Sequence, residues 1–185
     1  SIEPDPSVWQ ALQQNLLTNN CNAHVLQGVI SSSPVYMPVA TFYNARTSTN
    51  TSGVPVANFK FEDLESAVGL QFDTLLIDCE GCVEKMMDQL RPKILSQISL
   101  ILLEADMPNA TGTDCVENCV DYSKFIGFLQ EAGFRMVDSF NDCDRSIYGG
   151  VEGSWCAPFI QHYAFRRNNR PRGQITGYSE TTGPE

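Results

Sequence analysis

The sequence has no glycine-rich turn of the kind that cradles a phosphate, no apolar run near the roughly 18 residues that span a bilayer, and only 2 histidines. The first absence removes P-loop chemistry, in which backbone N–H groups must approach phosphate oxygens closely. The second leaves no sequence stretch able to cross a membrane as a helix, and no signal-type apolar segment opens the chain. With histidine so scarce, no Ser-His-Asp or Cys-His arrangement can be built from spacing, and His24 and His162 read as ordinary core or surface residues. Cations are scarce too: 12 Lys and Arg against 22 Asp and Glu give a formal net charge of -10. That sign argues against nucleic acid, whose phosphates require clustered positive charge.

What is present suits one folded domain. A chain of 185 residues with 42% hydrophobic content can bury one sizeable core. Its 7 cysteines, Cys21, Cys79, Cys82, Cys115, Cys119, Cys143 and Cys156, are an odd number and cannot all pair within the chain. The Cys79/Cys82 and Cys115/Cys119 spacings do not match a zinc ribbon, so no metal site is expected, only thiols or one or two disulfides. Two glycosylation sequons, Asn50-Thr51-Ser52 and Asn109-Ala110-Thr111, keep a secretory route open beside an intracellular or organellar soluble location. Arg166, Arg167, Arg170 and Arg172 lead into 168–185, a stretch almost without core formers. It reads as a solvated polar tail appended to a domain over 1–167, or as a contact for an anionic partner.

Along the chain, strand and helix signals alternate. Ser1 to Glu3 ends a strand; Asp5 as N-cap and Pro6 at the first helical position start a helix that Val8, Trp9, Leu12 and Leu16 carry to about Thr18. Ala23 to Ile30 reads as a strand from its β-branched residues. Pro34, Pro38, Gly53 and Pro55 break 31–57 into what reads as a small antiparallel insertion, and Phe61 to Val68 forms a helix stopped by Gly69. Leu75-Leu76-Ile77 is a short apolar run without polar alternation, expected to be a strand buried on both faces. A helix from Val83 to Leu90, with a second start at Pro92, leads to another apolar strand, Ser99 to Glu104. A helix over Tyr122 to Glu131, a strand over Phe134 to Val137 and a last alternating strand over Phe159 to Phe165 complete the pattern, which is that of an α/β sheet.

The chemistry-bearing candidates are acids at strand ends. Asp78 and Glu80, beside Gly81, follow the Leu75–Ile77 strand, at the carboxyl rim where open α/β sheets bind ligands. Such a pair can serve as general base, can hold a divalent cation, or can cap the following helix. Glu104 ends the next strand and adds a further acid to that rim. Glu3, at the end of the first strand, can accept hydrogen bonds from both hydroxyls of a ribose or serve as a helix-start carboxylate.

Glu3-Pro4-Asp5-Pro6, the helix bearing Asn15 and Asn19, Asp78-Cys79-Glu80-Gly81-Cys82, Leu102-Leu103-Glu104 and Leu129-Gln130-Glu131-Ala132-Gly133-Phe134 together resemble, in the same order, the FkbM family of S-adenosylmethionine-dependent methyltransferases. The resemblance spans about residues 1–167 and implies a Rossmann-like methyltransferase sheet with flanking helices, lacking here the first strand and its glycine-rich turn. It implies S-adenosylmethionine as cofactor and methyl transfer to a hydroxyl oxygen of a carbohydrate or small molecule. On that resemblance Glu3 binds the cofactor ribose, Gly28, Val29 and Ile30 line the adenine pocket, and Asp78 and Glu80 lie at the transfer centre. Val83 stands where the family has a further glutamate. With the absent turn, this motivates an alternative: a catalytically silent Rossmann-like module serving as a structural or interaction subunit of a larger assembly.

Overall fold

The computed structural model describes residues 1–37, 51–78, 83–106, 120–141, 143 and 160–168. The chain opens with β1 (Ile2–Glu3), α1 (Pro6–Thr18) and β2 (Leu26–Gln27), and β1 and β2 pair in parallel. Asp5 caps α1 as its sequence requires: its carboxylate accepts the Ser7 N–H at 2.8 Å, and Pro6 fills the position whose N–H has no helical partner. At the other end the Asn19 N–H returns to the Asn15 carbonyl. No residue of α1 is fully buried, so this helix lies against its two strands as a surface element.

The strand expected over Ala23 to Ile30 is divided at Gly28. β2 ends there and β3 (Val29–Ile30) turns to pair with β6 (Asn58–Phe59) in parallel. Gly28 has φ +156°, and a Cβ on it would lie 2.5 Å from both the Ala57 carbonyl oxygen and the Phe59 ring, so only glycine fits the crossing. Between these strands β4 (Tyr36–Met37) and β5 (Val54–Pro55) form the antiparallel pair of the insertion. α2 (Phe61–Val68) ends at Gly69 in the left-handed conformation, φ 68°.

The main sheet has four strands: β7 (Thr74–Ile77), β8 (Leu100–Asp106), β9 (Phe134–Asn141) and β10 (Ile160–Arg167), in the order β7-β8-β10-β9. β7 and β8 run parallel, joined by α3 (Val83–Ser96), whereas β10 is antiparallel to both of its neighbours. α4 (Tyr122–Glu131) precedes β9 and is capped by Asp121, whose carboxylate accepts from Lys124 N and from the Ser123 hydroxyl. The architecture is mixed α/β.

Side chains in register share a sheet face, and alternate residues face opposite ways. Ile77, Ile101, Leu103 and Phe165 therefore point together into a core completed by Phe61 of α2, Leu90 and Ile94 of α3, and Phe125 and Leu129 of α4. The other face carries Leu76 and Leu102, which are 75% and 36% exposed. Leu75–Ile77 is thus a parallel strand, as its apolar run implies, but not one buried on both faces. The run of three apolar residues reports a strand without reporting whether an element covers its second side.

Three further corrections concern boundaries. α3 runs unbroken through Pro92, where two segments were expected; a proline within a helix removes one hydrogen bond but need not end it. β9 extends to Asn141 because β10 provides a partner along its length. β10 runs through Arg166 and Arg167, two residues past the expected strand end at Phe165: the Arg167 guanidinium donates to the Leu95 carbonyl at 2.8 Å and to the Ile94 carbonyl, and lies 4.7 Å from the Phe134 ring centre. Residues 169–185, with Arg170 and Arg172, lie outside the described residues, as do Asn50 and Asn109 of the sequons.

Candidate functional site

Two groups of the expected site residues come together, on separate sheets. The first stands at the carboxyl ends of β1 and β2. Glu3 pairs in register with Gln27, and the Gly28 N–H donates to the Glu3 carbonyl at 3.1 Å. The Glu3 carboxylate accepts the Asp5 N–H at 2.8 Å, which fixes the side chain at the mouth of the β1–α1 turn. Val29 and Ile30 continue from Gly28, and Ile30 packs against the main core. An acid thus ends the first strand of a β-α-β unit, and beside it stands a glycine whose missing Cβ lets the Ala57 carbonyl and the Phe59 ring approach.

The second group lies on the carboxyl rim of the parallel pair β7/β8. Ile77 pairs with Leu103, so Asp78, the next residue, lies at the level of Glu104. Asp78 is exposed. Glu104 is partly buried and pairs in register with His162 of β10, whose own partner on β9 is Phe140. The His162 Nδ1 is 3.6 Å from the Glu104 Oε2, and the imidazole stacks on the Phe140 ring, 4.5 Å between centres and 15° between planes. The row runs acid, acid, imidazole, aromatic across the rim of the sheet. Glu80 and the rest of its motif, Cys79, Gly81 and Cys82, fall outside the described residues. Among the described residues no cluster of three or more His, Cys, Asp or Glu side chains could hold a metal ion.

His162 is the site residue that reading the chain in order passes over. Its β10 alternation places it on the same face as Ala164, but its partner Glu104 lies far back in the chain and the β8/β10 register fixes their meeting. One signal was available in principle: an acid near the end of a strand and a histidine within a later strand of the same sheet.

Two charged groups outside the rim have acidities set by their surroundings. Glu65 of α2 is held below the ordinary carboxylate value: burial pushes it up, but hydrogen bonds from Lys93 Nζ, Phe72 N–H and Gln97 outweigh that burial. Asp121, the cap of α4, is lowered to about 2, chiefly by the Ser123 hydroxyl and then by the Lys124 N–H. Both are structural carboxylates, tying α2 to α3 and starting α4. Cys143, next to β9, is disulfide-bonded, whereas Cys21 is an exposed free thiol. Among the described residues, no helix is long and apolar enough to cross a membrane.

The comparisons with protein-family models, with curated proteins and with solved structures returned no match to this chain.

Proposed function

We propose that the chain is a methyltransferase domain of Rossmann-like type that uses S-adenosylmethionine to methylate a hydroxyl oxygen. The observation that carries this reading is the meeting of Glu3 and Gly28 at the carboxyl ends of a parallel β-α-β unit, joined by the Gly28 N–H to Glu3 carbonyl bond of 3.1 Å. An acid in that place can accept hydrogen bonds from ribose hydroxyls, and Gly28 to Ile30 would border the adenine. When bound, the cofactor supplies an electrophilic methyl group on a sulfonium centre. The protein's part is to align the acceptor oxygen with that carbon and to take up its proton, and alignment alone accounts for much of such catalysis. Asp78, Glu104 and Glu80 of the motif are the acids assigned to the acceptor side. Titration calorimetry with S-adenosylmethionine, with competition by S-adenosylhomocysteine, tests the reading; no heat and no competition would sink it.

A second reading, a non-catalytic module within a larger assembly, is favoured by the sheet face that carries Leu76 at 75% and Leu102 at 36% exposure. Exposed apolar side chains on adjacent strands are a common mark of a protein contact. The disulfide at Cys143 favours an oxidising compartment for either reading.

A further inference from the structure

We infer that the open face of the main sheet is a self-complementary contact whose partner is a second copy of this chain, related by a two-fold axis through Leu102. The inference rests on the reading of the chain as a module within an assembly and names the partner for that face; Asp78 then serves the contact in place of a methyl acceptor.

Register fixes what the face presents. Phe165 and Ile77 enter the core, so Arg166 and Asp78, the residues that follow them, belong to the opposite side. Three rows cross that side. Leu76, Leu102 and Ala164 stand in register in the middle, and both leucines are exposed. At one end Arg166 is in register with Arg135, and both arginines are exposed. At the other end Asp78 lies level with Glu104.

Parallel strands such as β7 and β8 are seldom left open on one face. The arginines call for an anion as well. Like charges directly opposite on neighbouring strands destabilise the pairing, and among the described residues no carboxylate forms an ion pair with either arginine. The face carries a suitable anion itself. Leu102 stands midway between Arg166 and Asp78, which lie one strand away on opposite sides of it and two residues away in opposite directions. A two-fold axis in the plane of the face, through Leu102 and perpendicular to the line from Arg166 to Asp78, therefore exchanges the two. It sets Arg166 of each copy over Asp78 of the other and packs the two Leu102 side chains together, with Leu76 beside them. The same patch then serves both copies, as a closed dimer requires. Asp78 also has a partner in its own chain, and a carboxylate has acceptor sites enough for both.

Area sets the strength. Four strands about 4.8 Å apart and three rows about 6.6 Å apart cover about 400 Å2 on each copy. That is below the size of a tight complex, so the dimer is weak and reversible, with a Kd on the order of 100 μM.

Sedimentation equilibrium of the full chain tests this, at about 0.15 M salt, where repulsion between copies of net charge -10 is screened beyond about 8 Å. Wild type should dimerise reversibly. Arg166→Glu and Asp78→Arg should each weaken dimerisation at least about tenfold, since each sets like charges against one another at both ends of the contact. An equimolar mixture of the two variants should regain wild-type association, because both facing pairs of the mixed dimer are again of opposite sign. Recovery in the mixture also shows that both variants are folded. Wild type that stays monomeric at about 500 μM, undiminished association of either variant, or no recovery in the mixture overturns the inference. A dimer abolished by Cys21→Ser, which removes an exposed thiol able to link copies covalently, overturns it too. A wild-type monomer that binds no S-adenosylmethionine overturns the second copy alone and leaves the module reading with another partner, whereas a monomer that transfers methyl defeats both.

Discussion

Removing the Glu65 carboxylate should cost about 3 kcal/mol of folding free energy, more than most single substitutions. Glu65 accepts from Lys93 Nζ at 2.5 Å, from the Phe72 N–H at 2.9 Å and from Gln97 Nε2, while Gln97 also donates to the Phe72 carbonyl. One side chain thus joins α2, the segment entering β7, and α3. The Lys93 and Glu65 side chains are 18% and 11% exposed, so the pair is mostly shielded without being fully buried. Charge-assisted hydrogen bonds contribute about 1.5–3 kcal/mol each, and stranding one partner of a fully buried pair costs about 3–5 kcal/mol. Residual exposure of Lys93 lets water recover part of the loss, which places Glu65→Ala near the lower end of that range. Glu65→Gln keeps an acceptor for the Phe72 N–H and should lose about half as much.

In urea the expected result is a lower midpoint at unchanged slope, and on heating a fall of about 6–12 °C. The double variant with Lys93→Met should be less destabilised than the sum of the two singles, since it leaves no unpaired charge. The pH dependence follows from the sign of the shift. Glu65 is more acidic folded than its ordinary value of 4.5, so its contribution is present above that value and is lost as pH falls below it. A Glu65→Ala stability within about 0.5 kcal/mol of wild type would refute the claim that this carboxylate ties the helices to the sheet.

Further outcomes follow from the same structure. Gly28→Ala places a Cβ 2.5 Å from the Ala57 carbonyl oxygen and should destabilise by about 2 kcal/mol, weakening cofactor binding as well; calorimetry and thermal melts check both. Asp5→Ala removes the cap of α1 at a cost of about 1 kcal/mol, and because no residue of α1 is fully buried the loss should appear as faster amide exchange in that helix more than as a lower melting temperature. Asp121 is lowered to about 2, so the α4 start should hold above the ordinary value of 3.8 and loosen as pH falls from there toward 2, followed by amide exchange or helical ellipticity.

Much of this fold was legible where local chemistry decides it. The Asp5-Pro6 start of α1, the Gly69 stop of α2 and the limits of α4 follow from caps and periodicity, which act over a few residues. The parallel pairing of β7 and β8 also agrees with their short apolar runs joined by a helix. What local sequence could not supply was register and cover. His162 meets Glu104 through a pairing between distant strands, and the same holds for Phe140 on His162. The exposure of Leu76 depends on what lies over the sheet, which the three residues of the run do not encode. The hold on Arg167 was not legible because its partners, the carbonyls of Ile94 and Leu95, are main-chain groups that every sequence offers. Of the expected site, Glu3 and Gly28 stand together at the ends of β1 and β2 through a backbone hydrogen bond that strand signals alone do not specify, whereas the motif centred on Glu80 lies outside the described residues.

The central claim is that Glu3 and Gly28 to Ile30 form a cofactor pocket, and titration calorimetry of S-adenosylhomocysteine into wild type and Glu3→Ala tests it most directly. The account predicts saturable one-to-one heat in wild type and at least about a tenfold weaker affinity in the variant, the loss of one charge-assisted hydrogen bond or more. Absence of heat in wild type, or equal affinity in both, would contradict it.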